Sequence, residues 1–344
     1  LNVSSIVDTA QVIDTFFGHW FKTGSVAINI IWDSGPKFDF TRWDYSSCSE
    51  EVLQSGECVP FNDDNGLYFT FGYAVVLAIF LPMALMDLKE NAAWQVLGFL
   101  ILLLCSIIFI FIFISEGLNT SYISWWGDEW NSLFGVILFN YALVIAVPAW
   151  LYEKESGVKV ATVVNGSSIL STILYIFIGG LGAMAMPNAS QNMLETMMSG
   201  VFGIPMQICA SVFAFFIIGL GCPLFSVLAR MNLTGRGMLP RSKANLLAVY
   251  LPFTTSWLFY TGDSITQLLS WGGMLFTTLV AFLLPLLISL HTLEVTDELG
   301  SVSVYGKWDF TSIKSQKTAL KVLLVLACLA SFAALVGNIV SVAS

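Results

Sequence analysis

Charge is the scarcest commodity in this sequence. Only 11% of its 344 residues are Asp, Glu, Lys or Arg, against roughly a quarter in an ordinary soluble domain. Histidine is rarer still, with His19 and His291 alone, so a His-based metal cluster and the HExxH protease pattern are excluded. There is no GxSxG, P-loop or CxxC motif, which disfavours a membrane enzyme. No cofactor is implied. The net charge of −9 says little about partners, and no nucleic-acid partner is expected.

What fills the space left by charge is hydrocarbon: 56% of residues are apolar and mean hydropathy is +0.79. Runs without any charged residue cover 67–86, 91–115, 131–152, 160–194, 196–229, 244–262, 264–293 and 322–344. Each reaches or approaches the ~20 residues that cross a bilayer as helix. The expected fold class is therefore an all-α polytopic membrane protein with about eight transmembrane helices, its partner being the lipid bilayer. Residues 1–66 hold ten of the 23 acids and only Lys22, Lys37 and Arg42 as bases. They read as an acidic, non-cytoplasmic segment with one short amphipathic helix at most, preceding a transmembrane domain over 67–344. Leu1 is no initiator and no signal-peptide pattern follows it, so a fragment lacking its N-terminus is expected.

Basic residues set the orientation. The stretch 229–243 holds Arg230, Arg236, Arg241 and Lys243 and no acid, which places it in the cytoplasm. Alternation of spans then puts 87–90, 153–159 and 292–321 on the same side and 116–130 and 187–202 on the other. The sequons at Asn2, Asn119 and Asn188 fall on the non-cytoplasmic side and are candidate glycosylation sites. Cys48 and Cys58 sit in the acidic outer segment, where a disulfide is permitted; two unpaired thiols are the alternative.

Two spans are interrupted by polar or helix-breaking residues. In 131–152, Asn140 and Tyr141 precede Pro148; in 203–229, Gly219, Gly221, Cys222 and Pro223 follow one another. Unwound backbone inside a membrane is tolerable where it lines a cavity, and there it can hold a substrate or ion. Interhelical hydrogen bonding, a proline kink or a helix-packing notch would account for the same residues.

"LFGVILFNYALVIAVPAWLYEKES" resembles the sixth transmembrane helix of the amino acid/auxin permease family, within the amino acid–polyamine–organocation superfamily. "FGYAVVLAIFLPMALMDLKENAAWQVLGF" is similar to its fourth and fifth helices, "FFIIGLGCPLFSVLAR" to its eighth, and "LLAVYLPFTTSWLFYTGDSITQLLSWGGMLFTTLVAFLLPLLISL" to the ninth and tenth. The resemblance covers the chain from about residue 67 to its end and would make its spans helices four to eleven of eleven. It implies a LeuT-like fold of two inverted five-helix repeats, here partial, and a secondary transporter of amino acids working by alternating access. Substrate would be held by Phe139, Asn140 and Tyr141 of the sixth helix, facing Gly219, Gly221 and Cys222 of the eighth. Sodium-coupled relatives have hydroxyl side chains on the eighth helix where this chain has glycines, so sodium is doubtful; a coupling proton is the alternative. No span has an acid at its centre, which leaves Asp263, water or the missing helices to carry one. The plasma membrane or a vacuolar/lysosomal membrane is implied. A membrane-embedded amino-acid sensor or scaffold, with 229–243 and 292–317 as its contact surfaces, is the rival reading.

Overall fold

The computed structural model describes residues 2–21, 24–32, 36–44, 60–61, 67–123, 146–186, 193–260, 278–298 and 313–343. The chain divides into two compact units, Leu1–Trp125 with Glu153–Ile265, and Trp126–Tyr152 with Thr266–Ser344.

The first unit opens with α1, Asn2–Trp20, a helix of 19 residues. Its apolar positions Ile6, Val7, Ala10 and Ile13 recur at helical spacing and are buried. Three antiparallel strands follow, β1 (Ser25–Trp32), β2 (Pro36–Trp43) and β3 (Leu67–Thr70), in the order β2-β1-β3. Ser25 lies opposite Trp43, and Ala27 opposite Thr70. This sheet is a departure from the all-helical expectation. The Trp43 ring lies against Gly18 of α1, where any Cβ would collide with it, which docks the hairpin on the helix end.

Four longer helices follow in this unit: α2 (Phe71–Ala84), α3 (Leu88–Glu116) and, after α4 (Val147–Glu153), α5 (Val160–Ala185) and α7 (Gly203–Thr234). A short α6, Met193–Met198, precedes α7. Thr70 caps α2, its hydroxyl accepting from Tyr73 N at 3.1 Å. The charge-free run beginning at 67 is thus strand for four residues before it becomes helix. In α3 the opposite holds: Asp87 and Glu90 form a capping box, so the charged residues just before 91 are its first turn, satisfying otherwise orphaned N–H groups. The stretch 241–259 is helical in pieces, α8 (Arg241–Asn245), a π turn over Leu246–Tyr250, α9 (Leu251–Thr255) and a 3-10 turn over Ser256–Phe259.

α1 packs along α2 and α7. Residues 2–20 therefore pack with the helices of the first unit. A second apolar cluster unites α3, α5, α6 and α7 through Phe109, Phe113, Ala185, Met197, Met206 and Ala210.

The second unit holds α4 (Val147–Glu153), α10 (Leu284–Glu298) and α11 (Ile313–Ala343), with α10 and α11 packed on each other. Across the described residues five helices are long and apolar enough to cross a membrane: Leu88–Glu116, Val160–Ala185, Gly203–Thr234, Thr278–Val295 and Lys314–Ala333. The chain is mostly helical, as an integral membrane protein of this kind would be. α2, at 14 residues, is a shorter apolar helix, and the run 131–152 is described only from residue 146 onward.

Candidate functional site

Of the sequence-predicted site, Phe139, Asn140 and Tyr141 lie outside the described residues, as do Cys48, Cys58 and Asn188. Gly219, Gly221 and Cys222 are described. They lie in α7 immediately after a π turn spanning Ala214–Ile218, in which the Gly219 N–H reaches back to the Ala214 carbonyl. π turns inside membrane-length helices loosen the backbone ladder and are frequent at functional positions. Pro223, one turn later, has no N–H to give.

The neighbours answer part of this loosening. The side-chain N–H₂ of Gln95 on α3 donates to the Leu220 carbonyl at 3.0 Å and to Asn91 Oδ1 at 2.9 Å, so both of its protons are engaged. Gly98 meets Leu220 in the same crossing, a Cβ there coming 2.7 Å from Leu220 Cδ1. Gly219 is a notch for Phe80 of α2, whose Cζ would stand 2.5 Å from an added Cβ. For Gly219 the packing explanation therefore holds on geometry. Gly219→Ala is expected to cost about 1–3 kcal/mol by overpacking. Phe80→Leu in the same chain should return part of that, so the double variant is less destabilised than the sum of the singles. Additive losses in thermal unfolding would refute the notch.

Gly221 and Cys222 face α1. An added Cβ on Gly221 would lie 3.3 Å from Ser5 Oγ, and Cys222, fully buried, meets the Thr9 hydroxyl. Further along, Asn2 Nδ2 donates to Ser226 Oγ at 2.8 Å. That bond engages the atom a glycan would need. Asn119, by contrast, is exposed and uses its Oδ1 to cap a short turn, accepting from Ser121 N at 3.0 Å. The seam between α1 and α7 is thus lined by Asn2, Ser5, Thr9 and Ser226, small polar residues of the kind that let membrane helices approach and hydrogen-bond.

Two acids of α1 accompany the seam, and sequence reading assigned neither a place in the bundle. Asp8 keeps part of its surface open and accepts from Ser4 Oγ at 2.9 Å. Asp14 is fully buried. It accepts from the Ser25 hydroxyl at the start of β1, from Gly72 N at 2.8 Å in the first turn of α2, and from Tyr260 OH at 2.7 Å. Gly72 is obligatory there, since a Cβ would run into the Ala10 carbonyl and the Asp14 carboxylate. The signal that could have found both acids is the Ile6, Val7, Ala10, Ile13 periodicity around them.

An apolar cavity of about 240 Å³ lies between α1, α2 and α7, walled by Phe16, Phe17, Val75, Val212, Phe215 and Phe216. The π turn supplies two of those rings. Among the described residues no group of His, Cys, Asp and Glu could hold a metal ion.

No family model, curated protein or solved structure matches the chain.

Proposed function

We propose that this chain is part of a secondary transporter that moves amino acids across a membrane by alternating access. The observation that carries the reading is the departure of α7 from regular helix in the π turn at 214–218 and at Pro223, with hydroxyls and an amide of α1 against the turns just beyond. Broken backbone facing polar groups at membrane depth is the arrangement with which such carriers hold a small solute. Ionisable groups within membrane bundles are costly and commonly mark solute or ion paths.

In this reading Gly221 and Cys222 contribute to the solute site, and the resemblance of 133–156 to the family's sixth helix nominates Phe139, Asn140 and Tyr141 as further solute-binding residues. The neighbouring phenylalanine-walled cavity suits an apolar side chain. The test is uptake of radiolabelled amino acids, each of the twenty in turn, by the full-length protein in proteoliposomes. Uptake of at least one is expected, reduced tenfold or more by Asn140→Leu. No uptake of any would sink the transporter reading, and amino-acid-dependent capture of a cytoplasmic protein without flux would establish a sensor instead.

A further inference from the structure

We propose that Asp8 is the group that takes up and releases a proton during transport, a proposal that rests on the transporter reading above. The first part of the argument is depth. Asp8 adjoins Thr9, and Thr9 meets Cys222; Cys222 lies within the charge-free part of α7, 203–229, roughly 9 Å along the helix from its midpoint at 1.5 Å per residue. A carboxylate is therefore held at the level of the membrane interior.

The second part is direction. Successive residues of an α-helix turn by about 100°, so the contacts of α1 define its sides. Ala10 faces α2 at Gly72, and Asn2, Ser5 and Thr9 face α7. Gln11 reaches the Tyr260 carbonyl at 3.0 Å. Asp8 stands on the remaining side, in line with Thr15, and both keep part of their surface open. It acts on Cys222 at the α1–α7 seam and is part-exposed. Asp14 is the contrast: one helix, two acids, the second closed in by donors from three elements.

The third part is the company Asp8 keeps. Its hydrogen-bond donor is the Ser4 hydroxyl, and no Lys, Arg or His pairs with it among the described residues. The titratable group that acts near it among the described residues is the Cys222 thiol of α7. Tyr73 of α2 and Tyr260 are engaged elsewhere, with Phe253 and Ser256 and with Asp14 respectively. An acid at this depth with a hydroxyl for company and an open side has two states of comparable cost, neutral in hydrocarbon and charged when water reaches it. Access to water from alternating sides is what a transport cycle supplies. Loading is then addition of a proton from water on one side to a carboxylate oxygen, and unloading its return to water on the other.

The experiment uses the full-length protein in proteoliposomes with a pH-sensitive dye inside, given an equimolar mixture of the twenty amino acids, each labelled in turn. The wild type is expected to move protons with label, and Asp8→Asn to lower the ratio of protons to amino acid by tenfold or more. An unchanged ratio overturns the proposal, and so does loss of both fluxes in a monodisperse Asp8→Asn protein, which would make Asp8 framework. Should that variant not fold, Asp8→Glu decides: a displaced pH midpoint of uptake supports the proposal, and a profile identical to wild type overturns it. Wild-type uptake without proton movement overturns this proposal alone, whereas no uptake at all removes the transporter reading with it.

Discussion

Replacing Asp14 with alanine is expected to destabilise the first unit by about 3–5 kcal/mol, the range seen when one partner of a buried charged cluster is removed. The carboxylate has no exposure to solvent, and it accepts from Ser25, Gly72 N and Tyr260. Without it, two hydroxyls and a backbone N–H are left in a space water does not reach, each unmade bond costing about 1–3 kcal/mol, though not additively. The three donors belong to β1, to the N-terminus of α2 and to the residue after the 256–259 turn. One side chain of α1 therefore sets the positions of three otherwise separate elements. Asp14→Asn keeps an acceptor oxygen for Ser25 and Gly72 and should lose about half as much. Tyr260→Phe, which removes one donor and leaves the carboxylate with the others, should cost about 1–2 kcal/mol. Thermal unfolding of the purified protein in detergent orders the three variants. An Asp14→Ala midpoint within about 2 °C of wild type would show that the cluster holds nothing.

The same residue explains where sequence reading stopped. A search for charge-free runs finds helices whose every turn faces lipid or an apolar neighbour, and so it finds Leu88–Glu116, Val160–Ala185 and Gly203–Thr234 with errors of a few residues at the ends. The error at 88 comes from Asp87 and Glu90, charges that belong to a helix start. The error at 67 comes from Leu67–Thr70, apolar residues paired as an edge of the sheet. α1 is anticipated only as a short amphipathic helix and not as part of the bundle, because Asp8 and Asp14 interrupt its hydropathy while its burial depends on partners distant in the chain: Ser226, Tyr260 and Gly72. No local pattern encodes those.

The candidate site divides the same way. The Gly-Leu-Gly-Cys-Pro run is legible as a weak point, since each residue type loosens a helix for a known reason. Which glycine admits a ring and which faces a hydroxyl is decided by Phe80 and Ser5, more than a hundred residues away in sequence. The π turn just before the run, and the way Gln95 takes up a carbonyl within it, arise from helix packing and leave no mark on the residues of the turn itself.

Arg230→Met should have an effect of similar size at the opposite end of the bundle, about 3–5 kcal/mol. Arg230 ends the membrane part of α7 with its side chain 5% exposed. One terminal nitrogen donates to the Ala84 carbonyl at 3.2 Å and the Leu85 carbonyl at 3.0 Å, and the other to the Met86 carbonyl. The Ala84 and Leu85 carbonyls close α2 and have no partner inside their own helix, and Met86 lies in the turn that follows. They also form the negative end of its dipole, where a cation is favoured. Asp87 completes the group, 3.8 Å from Arg230 and 2.8 Å from Arg241. A planar fork with five donors can serve three carbonyls at once; an ammonium on a longer lever cannot hold the same directions. Arg230→Lys is therefore expected to recover less than half of the loss. Arg241→Ala, at an exposed pair, should change stability by less than about 1 kcal/mol. The basic residues of 229–243 are thus unequal: Arg230 ties α7 to the turn between α2 and α3, and Arg241 lies at the surface. Equal unfolding midpoints for Arg230→Lys and wild type, or for Arg230→Met and Arg241→Ala, would overturn that distinction.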